Sequence, residues 1–252
     1  MRLTVIGCAG SYPGPDSAAS CYLLETEQHG RIWRILLDLG NGALGVLQRY
    51  VDPMVIDAVL VSHLHADHCL DLCGYYVMRK YHPLGPAPRL PVWAPEGAAG
   101  RMARAYDLPE DPGMTEEFEF LGYPEGSFSI GPFTITATEV VHPVPAYALR
   151  VETAAGVLTY SGDTGPCEAL DRAADGADLL LAEASFYHGV DNPEDLHLTG
   201  RDCGDTATKA GVGRLVLTHV PPWHDRGRVL EEAQATYDGP VELAATGATF
   251  VI

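Results

Sequence analysis

Short apolar runs bounded by glycine, proline or charged residues recur along the chain, and their β-branched, near-continuous character reads as strands filling a core. Such runs occupy Arg2 to Ile6, Cys21 to Glu25, Ile32 to Leu37, Ala58 to Val61, Phe133 to Thr138, Ala146 to Glu152, Gly156 to Tyr160, Leu179 to Ala182, Leu215 to Thr218 and Ala248 to Ile252. Helical patterning falls at residues 42–49, 67–80, 96–106, 166–174, 200–210 and 226–236. Strands dominate the first half in hairpin-like succession, and helices intervene between them later. That mixture predicts an α/β fold of two sheets packed face to face with helices outside.

Polar residues interrupt this pattern at the ends of strands. Asp38 follows RILL, His63 follows AVLVS, His142 follows TATEVV, Asp163 follows VLTYSG, Glu183 follows LLLA and His219 follows RLVLT. Loops at strand ends, held by a rigid sheet, are the usual place for a site. The densest interruption is VLVSHLHADHCLDL, residues 59–72, where a buried-strand pattern breaks into histidines and aspartates. Such groups cannot be buried together at low cost unless something outside the local sequence satisfies them. The spacing His-x-His-x-Asp-His points to a metal.

Composition narrows the setting. A chain of 252 residues with 46% hydrophobic content supports a substantial core, and no linker, repeat or low-complexity tract divides it, so one domain over residues 1–252 is expected. The opening MRLTVIGCAG resembles neither a secretion signal nor a membrane span, which suggests a cytoplasmic protein. Six scattered cysteines form no C-x-x-C pair and read as free thiols in a reducing compartment; Cys69 and Cys73, one helical turn apart, are minor candidates as ligands. The formal charge of −18 disfavours long nucleic acid as a partner but not a small anion drawn to a dicationic site.

Gathering the cluster and the strand ends gives His63, His65, Asp67, His68, His142, Asp163 and His219, too many donors for one tetrahedral ion and suited to two. His63 and His65 can aim at one ion, Asp67 and His68 on the next turn at a second, and Asp163 is the natural bridge. Two such ions lower the pKa of a shared water and neutralise charge on the attacked group, so hydrolysis is the expected chemistry. Asp38 is expected to accept a hydrogen bond from a ligand histidine and fix its tautomer, or else to cap a turn.

The ordered set His63-Leu-His65-Ala-Asp67-His68, His142, Ser161-Gly162-Asp163-Thr164 and Leu217-Thr218-His219 resembles the metallo-β-lactamase superfamily. Within it, GDT, AEASF, HLTG and LVLTHV resemble the tRNase Z-like phosphodiesterase branch. TVIGCAGS, VSHLHADHCLDL, YSGDTG, DLHLTG and LTHVPPW are similar to an actinobacterial group proposed as atypical cyclic nucleotide phosphodiesterases. The resemblance implies a four-layer αββα sandwich, two divalent ions with zinc first and manganese or iron as alternatives, and a homodimer. It also implies that His63, His65 and His142 hold one ion, Asp67, His68 and His219 the other, and Asp163 both. Catalysis would rest on Asp67, Glu183 and His197, with Glu183 orienting His197 to protonate the leaving oxygen; the alternative for His197 is a helix-flanking role near Thr199. The expected substrate is a small phosphodiester such as 3′,5′-cyclic AMP, yielding the 5′-monophosphate. The rivals are tRNA processing, hydrolysis of a lactone, thioester or β-lactam, and metal or nucleotide binding without catalysis. No basic, glycine-rich arm of the tRNase Z kind lies between His68 and Asp163, which argues against tRNA. The Gly7–Ser20 loop, Tyr75, Tyr76 and Tyr81 are candidates for substrate contact, and His224 is expected at the surface.

Overall fold

The structure is a computed structural model that describes residues 1–85 and 87–252. In chain order the strands are β1 (Arg2–Ala9), β2 (Ala18–Ala19), β3 (Cys21–Gln28), β4 (Arg31–Leu37), β5 (Ala58–Leu60), β6 (Leu90–Trp93), β7 (Phe118–Leu121), β8 (Ser127–Ile130), β9 (Phe133–Glu139), β10 (Tyr147–Thr153), β11 (Gly156–Tyr160), β12 (Leu179–Glu183), β13 (Leu215–Thr218), β14 (Val241–Leu243) and β15 (Thr249–Val251). The helices are α1 (Ala43–Leu47), α2 (Ala66–Cys69), α3 (Leu72–Lys80), α4 (Ala98–Ala105), α5 (Glu168–Ala174), α6 (Gly200–Ala210) and α7 (Arg226–Gln234).

The strands form two sheets, ordered β15-β1-β3-β4-β5-β6-β7 and β14-β13-β12-β11-β10-β9-β8, with β2 beside β1. Each sheet begins with antiparallel strands and ends with parallel ones: β4 to β7 in the first, β11 to β14 in the second. Parallel strands need crossovers, and helices supply them.

Alternation along the strands divides the apolar residues among three cores. Leu3 and Val5, Tyr22 and Leu24, Ile35 and Leu37, and Ala58 and Leu60 face Leu149, Leu158, Leu179, Leu181 and Val216 of the opposite sheet. Their neighbours Cys21, Leu23, Leu36, Val59 and Val61 turn outward beneath α1, α3 and α4. On the other sheet Leu180, Ala182, Leu215 and Leu217 pack under α5, α6 and α7. The result is an αββα sandwich, and it accounts for the unbroken apolar runs, since strands covered on both faces need no polar alternation. Among the described residues no helix is long and apolar enough to cross a membrane.

Two expectations are corrected here. The helical pattern over 67–80 is broken in two, because the backbone at 68–71 is tied to the β4 exit: Leu39 N–H donates to His68 O at 2.8 Å and Asp71 N–H to Leu39 O at 3.2 Å. The Asp71 carboxylate then accepts from Leu44 N–H at 2.7 Å instead of capping its own helix. Five strands, β2, β6, β7, β8 and β14, lie where the pattern suggested none, each only two to four residues long.

Candidate metal centre

Because β4 and β5 run parallel, as do β11, β12 and β13, their carboxyl ends share one edge of each sheet, and β9 ends there too. Tyr147 N–H donates to Ser62 O at 3.0 Å, joining the two edges. All six strand-end groups therefore converge on one rim. Ser62 carries the chain out of β5, His65 sits in extended conformation as the N-cap of α2, and the helical turn that follows delivers Asp67 and His68 to the same point. The loops are packed without slack: a Cβ on Gly40 would fall 1.9 Å from Asp67 O, and one on Gly10 2.1 Å from His219 O.

Two donor groups drawn from both sheets result, His63 with His65 and His142, and Asp67 with His68, Asp163 and His219; a third, Glu183 with His197 and His219, lies beside them on the second sheet alone. In the first, His63 Nε2 and His142 Nε2 lie 3.0 and 3.3 Å from His65 Nδ1. In the second, His219 Nε2 lies 3.2 Å from His68 Nε2 and 3.1 Å from Asp67 Oδ2. Asp163 faces both groups, with Oδ2 3.7 Å from His63 Nε2 and Oδ1 3.3 Å from His68 Nε2. Cys69 is not among them; its thiol donates to His65 O at 3.1 Å and packs in the outer core, and Cys73 lies against that core as well.

Hydrogen bonds around the cluster decide which ring nitrogens face it. His68 Nδ1–H donates to Asp38 Oδ2 at 2.7 Å and His142 Nδ1–H to Leu196 O at 2.9 Å. Ser62 Oγ gives its own proton to Asp38, so it accepts from His63 Nδ1–H at 3.1 Å. Ser185 Oγ gives its proton to His219 O and accepts from His219 Nδ1–H at 2.8 Å. Four imidazoles thus present a bare Nε2 inward, held by the outer-shell partners typical of ligand histidines. Bare lone pairs about 3 Å apart repel unless a cation lies between them.

Electrostatics agree. Burial pushes Asp163 up, but His219, His68 and His63 outweigh it and hold the carboxyl well below the usual range. Burial likewise opposes charge on His68, yet Asp163 and Asp38 raise its pKa well above the ordinary imidazole value. Burial keeps His63, His65 and His142 low, hence neutral. Positive charge is thus favoured at this spot: without a cation it falls on the His68 ring as a proton, which a divalent ion would displace. Asp163 Oδ1, shielded from solvent, has no hydrogen-bond donor. The residues fit divalent cations.

Beside the cluster, Glu183 is fully buried and accepts from Thr164, Ser185 and Leu198 N–H at 3.2, 3.1 and 3.3 Å. It also accepts from His197 Nδ1–H at 2.7 Å, leaving His197 Nε2 free. Burial would lower the His197 pKa, but Glu183 outweighs it, and the ring is pushed up to about 9. Helix α6 has its own capping box from Thr199 and Asp202, so His197 is not needed to cap it.

Other expectations fall differently. Tyr75 and Tyr76 are buried in the outer core, with Tyr75 Oη bonded to Pro53 O, and Tyr81 is exposed on the loop beyond; none lines the rim. His224, expected at the surface, is half-buried and borders a cavity of about 360 Å³ that also includes Phe186, His197 and Trp223. The Gly7–Ser20 loop reaches the cluster through Ser11, whose N–H points at His219 Nε2 from 3.3 Å. Ser62, Ser185 and Leu196 were not anticipated. Only Ser185 carried a signal, standing two residues beyond Glu183. A larger cavity of about 530 Å³, bordered by Glu96, Tyr123 and Tyr147, includes none of the cluster residues.

The chain is 43% identical over 256 residues to an uncharacterized protein of Mycobacterium leprae, covering 100% of this chain and 89% of that one. It is 29% identical over 306 residues to a ribonuclease Z of Myxococcus xanthus, covering 99% and 97%. The crystal structure of the metallo-beta-lactamase fold protein YhfI from Bacillus subtilis, 28% identical, superposes with a TM-score of 0.87 over 99% of this chain and 98% of that one. A family model described as the beta-lactamase superfamily domain matches residues 33–220, a span that holds every residue of the cluster from Asp38 to His219, and the chain belongs to that superfamily.

Proposed function

We propose that this metal-dependent hydrolase cleaves a small phosphodiester, most plainly 3′,5′-cyclic AMP or a related cyclic nucleotide, to the nucleoside 5′-monophosphate. His63, His65 and His142 would hold one divalent ion and Asp67, His68 and His219 the other, with Asp163 shared. Zinc suits this nitrogen and oxygen set, and manganese or iron accept it too. When bound, two such ions supply Lewis acidity to the phosphate oxygens and a water acidic enough to react near neutral pH.

The observation that carries the reading is the Glu183–His197 pair. A ribose 3′ oxygen leaves poorly unless it is protonated as the P–O bond breaks. His197 holds a proton on Nε2, and the Glu183 carboxylate both fixes the ring and stabilises its charged form. An acyl substrate with an acidic leaving group needs no such acid. The likeness to a protein named ribonuclease Z supports a phosphodiester, while a formal charge of −18 favours a substrate with one phosphate over a polyanion. Asp67, a member of the second donor group, is kept ionised because His219 and His68 outweigh its burial, and its carboxylate would also orient the attacking water or take a proton from it. The six free thiols suit a reducing cytoplasm.

The test is turnover by purified, metal-loaded protein on cyclic nucleotides, bis(p-nitrophenyl) phosphate, p-nitrophenyl acetate and precursor tRNA. Phosphodiester hydrolysis with little ester or tRNA cleavage is expected. Inactivity on both cyclic nucleotides and bis(p-nitrophenyl) phosphate overturns the proposal.

A further inference from the structure

The cavity of about 360 Å³ beside His197 is within the size range of small-molecule sites, and its walls are unusual. Trp223 is 65% exposed, the largest side chain the protein leaves so uncovered. Its indole is held by Tyr12, 4.9 Å away between ring centroids and tilted by 36°. Tyr187 stacks on His224 at 4.2 Å with 22° between planes, and Arg228 lies over the Tyr187 ring at 4.0 Å. Phe186 meets the His197 ring edge-on at 5.0 Å. Aromatic groups on two separate loops therefore border one space, and Trp223 and Tyr187 are each held by contacts with other side chains of the protein. Asn192 adds polarity; its Nδ2 is taken by Tyr187 O at 2.8 Å, which leaves Oδ1 as an acceptor.

The same space touches the chemistry at two points. His197, the proton donor, lines it, and so does Ser11, whose N–H lies 3.3 Å from His219 Nε2. A ligand with phosphate at the cluster would leave its remaining bulk here. That bulk should be flat and largely uncharged, because aromatic faces reward stacking and the wall carries no cation apart from His197, itself paired with Glu183.

We propose that this cavity is the base subsite, in which the nucleobase of a nucleotide phosphodiester lies against Trp223 while its phosphate occupies the histidine–aspartate cluster. The inference rests on the phosphodiesterase reading and deepens it, assigning Trp223 as the main determinant of substrate choice. A carbonyl substrate or a simple alkyl phosphodiester gives these rings nothing to bind.

The experiment compares metal-loaded wild type with Trp223→Ala and Trp223→Phe on 3′,5′-cyclic AMP and on 1-O-methylribose 3′,5′-cyclic phosphate, which lacks a base. Wild type should prefer the nucleotide, and W223A should lose on the order of tenfold of that preference, mainly through KM, with W223F retaining most of it. Adenosine 5′-monophosphate should quench tryptophan emission in wild type and lose most of that effect in W223F, where Trp33 and Trp93 remain. Equal kcat/KM for the two substrates in wild type, or equal loss on both in W223A, overturns the subsite while leaving the phosphodiesterase reading intact. Quenching by the monophosphate without any cyclic nucleotide turnover overturns that reading instead and leaves the subsite standing.

Discussion

Asp38 shows how much of this site is decided by single atoms. It is fully buried with φ at +59°, and it accepts from Ser62 N–H, Ser62 Oγ–H, His68 Nδ1–H and Tyr160 Oη–H at 2.6 to 2.8 Å. Asp38→Asn keeps the shape but places an NH₂ against donors. The two hydroxyls can rotate to accept; His68 can adapt only by shifting its proton to Nε2, which turns an N–H toward the cluster. Metal affinity of that variant, measured by chelator competition, should fall roughly 10- to 100-fold. His197 makes a second case. Its pKa is raised to about 9, so the ring is protonated below that pH, and turnover of an alkoxide-leaving substrate should decline as pH rises through it. Glu183→Gln removes the main force holding the pKa up, so the alkaline limb of kcat should move to lower pH. His197→Ala should cost on the order of 10²-fold on a cyclic nucleotide and far less on bis(p-nitrophenyl) phosphate, whose leaving group needs no proton. Equal losses on the two substrates would remove His197 from the acid role.

Elements place these atoms, and their close approaches can be tested with one methyl group. Gly40→Ala drives a Cβ into the Asp67 carbonyl, so the loop from β4 must move against α2; a loss of about 1–3 kcal/mol in chemical denaturation is expected. Gly45→Ala, within α1 and facing open space, should instead be neutral or stabilise by about 0.5–1 kcal/mol. At this scale the sequence was legible where periodicity was strong: α6 runs over the expected residues, and β11 and β13 begin and end as read. It was not legible where tertiary bonds overrode local preference, as at Asp71, whose carboxylate serves α1. Nor was it legible in short strands such as β6, where Pro91 masks the pattern. Tyr75 and Trp223 show the same limit at the site. Which face of α3 looks at the core is a matter of helix phase, and the base subsite exists only because the loops holding Tyr187 and Trp223 meet.

For the whole molecule, the rim was foreseeable because strand direction repeats. Side chains placed just after parallel strands must share an edge, whatever their separation along the chain. That same geometry gives any bound metal a structural role. His63, His65, Asp67 and His68 follow the first sheet, whereas His142, Asp163 and His219 follow the second, so each of the two donor groups they form takes ligands from both. The apolar core between the sheets lies away from the rim, built from residues such as Leu24, Ile35, Val151 and Leu181, and involves no ligand. Metal removal should therefore loosen the rim without unfolding the sandwich. Metal bound at about 1,000 times its Kd contributes ~4 kcal/mol per site, a change in Tm on the order of 10 °C for a chain of this size. Chelation should lower Tm by that order, and amide exchange should quicken near residues 62–71, 141–142, 162–165 and 219–221 while β3, β4 and β12 stay protected. Asp163→Asn, which withdraws charge from both donor groups at once, should reproduce the exchange pattern with metal present. Uniform exchange across both sheets after chelation would show that the metals hold the fold itself, and that the core between the sheets is too weak to stand without them.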